Sequence, residues 1–92
     1  MINKNSTKEE VLEEVAKDGF ALEDASDKLR NDKDVVIAAV KQNGYALFYA
    51  SDKLKNDKDV VIKAVRKKKY ALQYASDKMR SNKELLRLYY FS

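Results

Sequence analysis

The string ASDKLRNDKDVV at residues 25–36 returns as ASDKLKNDKDVV at 50–61 and, altered, as ASDKMRSNKELL at 75–86. This 25-residue period constrains the fold more than any other feature of the chain. A unit that short cannot enclose a core, so it must bury its apolar face on neighbours built like itself. Residues 25–47 and 50–72 agree at 17 of 23 positions, which makes the units near-copies rather than distant relatives.

Two segments alternate within each unit. In DKDVVIAAVKQNG, Val36 and Val40 lie one turn apart and Ile37 widens their face; in YALFYASDKLKN, Leu47, Ala50, Ser51 and Leu54 follow helical spacing. Both predict helices of about three turns. Proline is absent and glycine occurs twice, so little interrupts them. The reading is an all-α fold, an array of short helix-turn-helix repeats with about seven helices, solenoid-like and forming a single domain over residues 1–92. Its units are 7–31, 32–56, 57–81 and a terminal half-unit 82–92, which places the last helix at 83–91.

Boundary residues support this division. Thr7, Asp32, Asp57 and Asn82 recur one period apart as N-caps, and Glu10 completes a capping box with Thr7. Gly19 and Gly44 fall where a left-handed residue would close the first helix of a unit. Unit three has Lys69 there, which predicts either strain or a helix that runs on. The stripe Val35/Ala39, Val60/Ala64 and Leu85/Tyr89 is apolar, but its first-unit equivalents are Glu10 and Glu14. The opposite edge, Leu12, Ile37 and Ile62, ends in Arg87. A stacked array predicts this pattern, with wet faces at its two ends.

Several functions lack their chemistry. Without histidine or cysteine there is no imidazole base, thiolate nucleophile or ordinary zinc site. No enzyme activity, catalytic residue, metal or cofactor is expected. Ser26, Ser51 and Ser76 read as small helix residues bonding back to their own carbonyls. Asp27, Asp52 and Asp77 read as acids late in a helix, opposed by its dipole and therefore paired with a lysine or a neighbouring N-terminus. The pairs Asp32/Asp34 and Asp57/Asp59 lack the glycine and distal glutamate of a calcium loop. The chain has neither a secretory signal pattern nor an apolar run of membrane-spanning length, so a cytoplasmic location is the default expectation.

The pattern NDKDVVIAAVKQNGYALFYAS resembles the tandem repeat of domain-of-unknown-function family 4116, and the resemblance covers nearly the whole chain. It implies no activity, cofactor or catalytic residue. The chain departs from the pattern at RKKKY, where the glycine is lost.

Two surfaces stand out. Net charge runs −3 over residues 1–31 (five basic, eight acidic), +1 over 32–56 (four, three) and +6 over 57–92 (ten, four). Lys63, Arg66, Lys67, Lys68 and Lys69, with Tyr70 and Tyr74 nearby, form a candidate contact for phosphate and stacked bases. Tyr45, Phe48, Tyr49 and Tyr74 form a candidate protein interface, although Asp24 at the tyrosine position of unit one points to packing between units. Leu86, Leu88, Tyr90 and Phe91 make the last helix apolar nearly all round, a second candidate interface and a surface for a homodimer through residues 83–91. The expected function is a non-catalytic interaction or scaffolding module with a protein partner. Nucleic-acid binding by the basic third unit is the competing reading.

Overall fold

A computed structural model describes residues 1–91, which are helical nearly throughout and contain no strand. Four long helices, α1 (Lys8–Lys17), α3 (Lys33–Gln42), α5 (Lys58–Lys67) and α7 (Lys83–Phe91), lie side by side in one layer. The second layer stacks three 3₁₀ segments, Gly19–Asp24, Gly44–Tyr49 and Lys69–Tyr74. One-turn helices α2 (Asp27–Arg30), α4 (Asp52–Lys55) and α6 (Asp77–Arg80) lead from each 3₁₀ segment back to the next long helix. The array measures 38 × 22 × 16 Å.

The expected repeat is present, but its second helix is two elements. Ala25, Ala50 and Ala75, with Ser26, Ser51 and Ser76, are extended, so the chain breaks where a continuous helix was expected. Before the break, 3₁₀ winding puts residues three apart on one face. Gly44, Leu47 and Ala50 therefore share the buried row, while Tyr45 and Phe48 share an outer row. After the break each serine is an N-cap: its Oγ accepts from the N–H of Leu29, Leu54 or Met79. This replaces the expected back-bond to a helix carbonyl. It also puts Asp27, Asp52 and Asp77 in a first turn, where the helix dipole favours acid. Asp27 and Asp77 pair with Arg30 and Arg80 of their own turns rather than with a lysine.

The caps of the long helices match expectation. Thr7 and Glu10 form the capping box; Asp32, Asp57 and Asn82 each accept from two N–H groups of the following turn. The glycines do not. Among the described residues none has a positive φ, and glycine is needed for another reason. A Cβ on Gly19 would lie 2.5 Å from the carbonyl oxygen of Ala39, and one on Gly44 2.4 Å from that of Ala64. Each glycine lets its 3₁₀ segment press against the next long helix. Lys69 begins its 3₁₀ segment as the glycines do, with Lys68 extended before it, so the expected strain or run-on is absent there.

Burial follows the stripes. Val35, Ala39, Val60, Ala64 and Leu85 are fully buried, whereas Glu10 is exposed. Val11, Val15, Val36, Val40, Val61 and Val65 fill the space between the two layers. Ile2, ahead of the first cap, joins this core.

Candidate functional site

The candidate site grows out of the joint between units. At each interior joint the extended Ala-Ser step turns a backbone N–H toward the preceding unit: Ser51 N donates to Arg30 O and Ser76 N to Lys55 O, both at 3.0 Å. The serine hydroxyls donate across the same joint, Ser51 to Asn31 Oδ1 at 2.6 Å and Ser76 to Asn56 Oδ1 at 2.7 Å. On the other edge, Lys8 reaches Asp32 and Asp34 at 3.0 and 3.2 Å, and Lys33 reaches Asp57 and Asp59 at 3.1 and 3.6 Å. Lys58 continues the row to Glu84 at 2.7 Å. The paired aspartates are thus held by lysine, and no cluster of acidic residues suited to a metal ion occurs among the described residues.

These bonds fix the electrostatics. Asp32 is pushed up by partial burial, but the hydrogen bond from Lys8, with the N–H of Val35 and the charge of Lys8, brings it net below its ordinary value. Lys63 lowers Asp59 and Lys58 lowers Glu84. Lys8 and Lys33 are raised chiefly by their bonds to Asp32 and Asp57.

Across the 3₁₀ layer the tyrosines do what their absence from unit one implies. Tyr49 meets Phe20 edge-on at 6.1 Å between ring centroids, and Tyr74 meets Tyr45 at 6.2 Å, each ring packing on the unit before it. Phe48 is different. Its equivalents are Glu23 and Gln73, yet it is 52% exposed and held between Tyr49 at 5.1 Å and Tyr74 at 5.2 Å. The Lys55 ammonium sits 5.5 Å from its ring centre.

Clefts flank this ring. One of about 280 Å³ is lined by Phe20, Tyr45, Phe48, Tyr49 and Tyr74. Another of about 440 Å³ includes Phe48, Asp52, Lys55, Tyr74, Asp77 and Arg80. A third, about 250 Å³, repeats its plan one unit earlier with Asp27, Arg30, Tyr49, Ser51 and Asp52. There the buried Nε of Arg30 has no acceptor among the described residues. An aromatic wall, a cation and a carboxylate recur at successive joints.

The basic cluster is more dispersed. Lys63, Arg66 and Lys67 line a shallow cleft of about 270 Å³ with Lys41, and no aromatic ring lines it. Tyr74 is on the clefts around Phe48 instead, and Lys69 lies over the Tyr89 ring at 5.3 Å. Lys68 is exposed at the C-cap of α5, and Lys63 is bound to Asp59 at 2.5 Å. Tyr70 packs edge-on against Tyr89 at 6.0 Å. In α7, Leu86 and Leu88 are half-buried, whereas Tyr90 and Phe91 stay 68% and 86% exposed. The helix therefore divides: its first half is seated and its last turn is open. Sequence reasoning missed the cations of the repeated cleft, Arg30, Lys55 and Arg80, whose signal was recurrence of positive charge at one position in every unit.

No curated protein and no solved structure gives a significant match to the chain. The profile of the domain of unknown function DUF4116 matches three times, over residues 8–55, 36–80 and 57–88. These overlapping matches follow the tandem units seen in the fold, and the chain belongs to the DUF4116 family.

Proposed function

We propose that the chain is a non-catalytic interaction module whose working surface is the aromatic face of the 3₁₀ layer around Phe48. The observation that carries this is an exposed ring at a position where the other two units have Glu23 and Gln73. Phe48 touches Tyr74 of the next unit, but unit one stacks on unit two with Glu23 at this position, so the repeat does not require an aromatic there. A ring already held in place by two neighbours loses little entropy on docking, the situation of an interface anchor. The partner that fits is a protein segment offering an apolar side chain to Phe48 and polar groups to Asp52, Lys55 and Arg80. A cytoplasmic setting belongs to the same proposal; no helix among the described residues is long and apolar enough to cross a membrane.

Phe48→Gln, which copies unit three, tests this reading. It should leave circular dichroism and thermal unfolding nearly unchanged and abolish capture of the partner protein from nuclease-treated native lysate. Equal capture by the variant would overturn the assignment.

The competing reading, nucleic acid, is favoured by the convergence of Lys41, Lys63, Arg66 and Lys67 on one cleft. It requires affinity that falls steeply with salt, with a slope of about −0.9 per phosphate contacted on duplex. Replacing Lys63, Arg66 and Lys67 by Gln should flatten that slope, and absence of binding at low salt would remove this reading.

A further inference from the structure

Each lysine at the start of a long helix reaches forward to a carboxylate on the next: Lys8 to Asp34, Lys33 to Asp59, Lys58 to Glu84. One half of this contact is left open at either end of the array. Lys83 of α7 has no ion-pair partner among the described residues, and neither has Glu9, the α1 residue equivalent to Asp34, Asp59 and Glu84. The neighbouring stripes differ from the interior in the same sense. Where the interior has Leu12, Ile37 and Ile62 facing forward, α7 has Arg87; where it has Val35/Ala39 and Val60/Ala64 facing back, α1 has Glu10/Glu14.

Charged end faces would suffice to keep an array monomeric if both carried one sign. Here the signs are opposite, with Glu9, Glu10 and Glu14 on α1 and Lys83 and Arg87 on α7. The lysine contacts also set a register. Each joins a lysine to the carboxylate 26 residues ahead, so the same register recurs between successive long helices. The same register carried one step further brings Lys83 to Glu9 of a second copy and Arg87 level with Glu10 and Glu14 of that copy.

We propose that the α7 end of one molecule binds the α1 end of another, head to tail, continuing the layer of long helices. The occupant is a second copy of this chain, chosen by charge complementarity in the register that the fold already uses. The contact is heterologous: each molecule keeps one free end of each kind, so association continues past the dimer. It is also exposed and ionic, hence weak per pair and screened by salt. The aromatic face around Phe48 lies on the other layer and plays no part in it.

Sedimentation velocity on the full chain over a concentration series tests the proposal, at about 20 mM and about 500 mM salt so that screening differs strongly. At low salt the average mass should rise with concentration beyond that of a dimer, and at high salt it should fall back. The double variants Lys83→Glu with Arg87→Glu and Glu9→Lys with Glu14→Lys should each remain monomeric, with unchanged circular dichroism. Glu10 is left in place to preserve the capping box. Mixing the two variants in equal amounts should restore association, because each reversed end then meets its complement. A wild type that stays monomeric throughout would overturn the proposal. So would association that survives both reversals, or a salt-insensitive species that stops at two copies and is lost in Phe91→Glu, the mark of a two-fold apolar dimer through α7.

Discussion

The joint between units two and three and the joint beneath α7 use equivalent positions with different residues. At the interior joint, Gly44 lies against the carbonyl of Ala64, small on small, and α5 buries Val60, Val61, Ala64 and Val65. At the outer joint the same two positions are Lys69 and Tyr89. Backbone contact gives way to a cation over a ring, and Leu85 is the only residue of α7 that is fully enclosed. The hydrogen-bonding residues change too. Asn31 and Asn56 accept from the serine of the following unit, whereas their last equivalent, Ser81, donates to Asp77 O of its own turn at 3.1 Å. Even the cap differs: Asp32 and Asp57 share their lysines with a second acid, but Asn82 is neutral and leaves Lys58 to Glu84 alone. The residues copied most faithfully are those that must meet another copy. At the joint with α7 they differ.

The largest effect expected from this contrast is at the glycine. Gly44→Ala has an allowed φ, and at an open site the change would stabilise by about 0.4–1 kcal/mol through the unfolded chain. Here the new methyl meets a carbonyl oxygen at 2.4 Å, so the layers must part. A loss of about 1–3 kcal/mol in urea unfolding is expected. Lys69→Ala, at the equivalent exposed position, should change stability by no more than about 0.5 kcal/mol. A stabilised Gly44→Ala would show that interior and outer joints are not different in kind.

A smaller difference should separate serines that look alike in sequence. Ser26, Ser51 and Ser76 all cap a one-turn helix, and replacing such a cap by Ala costs about 1 kcal/mol. Only Ser51 and Ser76 also donate across a joint. Ser51→Ala should therefore cost about 0.5–1.5 kcal/mol more than Ser26→Ala, the net worth of a hydrogen bond. Equal losses would reduce the joint serines to caps.

The smallest effect is electrostatic. Asp32, Asp59 and Glu84 have folded values below their ordinary 3.8, 3.8 and 4.5, so each contributes stability above that value and loses it as pH falls through the folded value. Lys8 and Lys33 are raised above 10.5, so their contribution is complete below that pH and disappears as pH climbs through their folded values. Unfolding midpoints should be flat across neutral pH and decline at both extremes. Lys58→Met should restore the ordinary titration of Glu84, read by NMR, without moving that of Asp32. A coupled shift of both would mean that the lysine contacts act as one network along the array.

What could be read from residues alone was whatever depends on near neighbours and on period. The caps follow from side chains two or three residues from the N–H groups they satisfy. The buried stripes follow from four-residue spacing, and Glu10 and Glu14 mark the wet end because they interrupt it. Asp24 announced that Tyr49 and Tyr74 pack between units. The break within each unit was not legible, because Leu47, Ala50 and Leu54 at intervals of three and four fit an α-helix as well as a 3₁₀ turn followed by a new helix. Only the hydrogen bonds from Ser51 to Arg30 and Asn31, some twenty residues back, decide between them. The glycines belong to the same class. Their cause is a carbonyl oxygen twenty residues ahead, which no local rule of backbone conformation contains. Placement of the candidate site was decided there as well: the rows of a 3₁₀ segment, not those of an α-helix, expose Phe48 and carry Tyr74 away from the lysines. Local bonding is written in the sequence near the atoms that make it, but an approach between units is fixed only when neighbouring units have stacked.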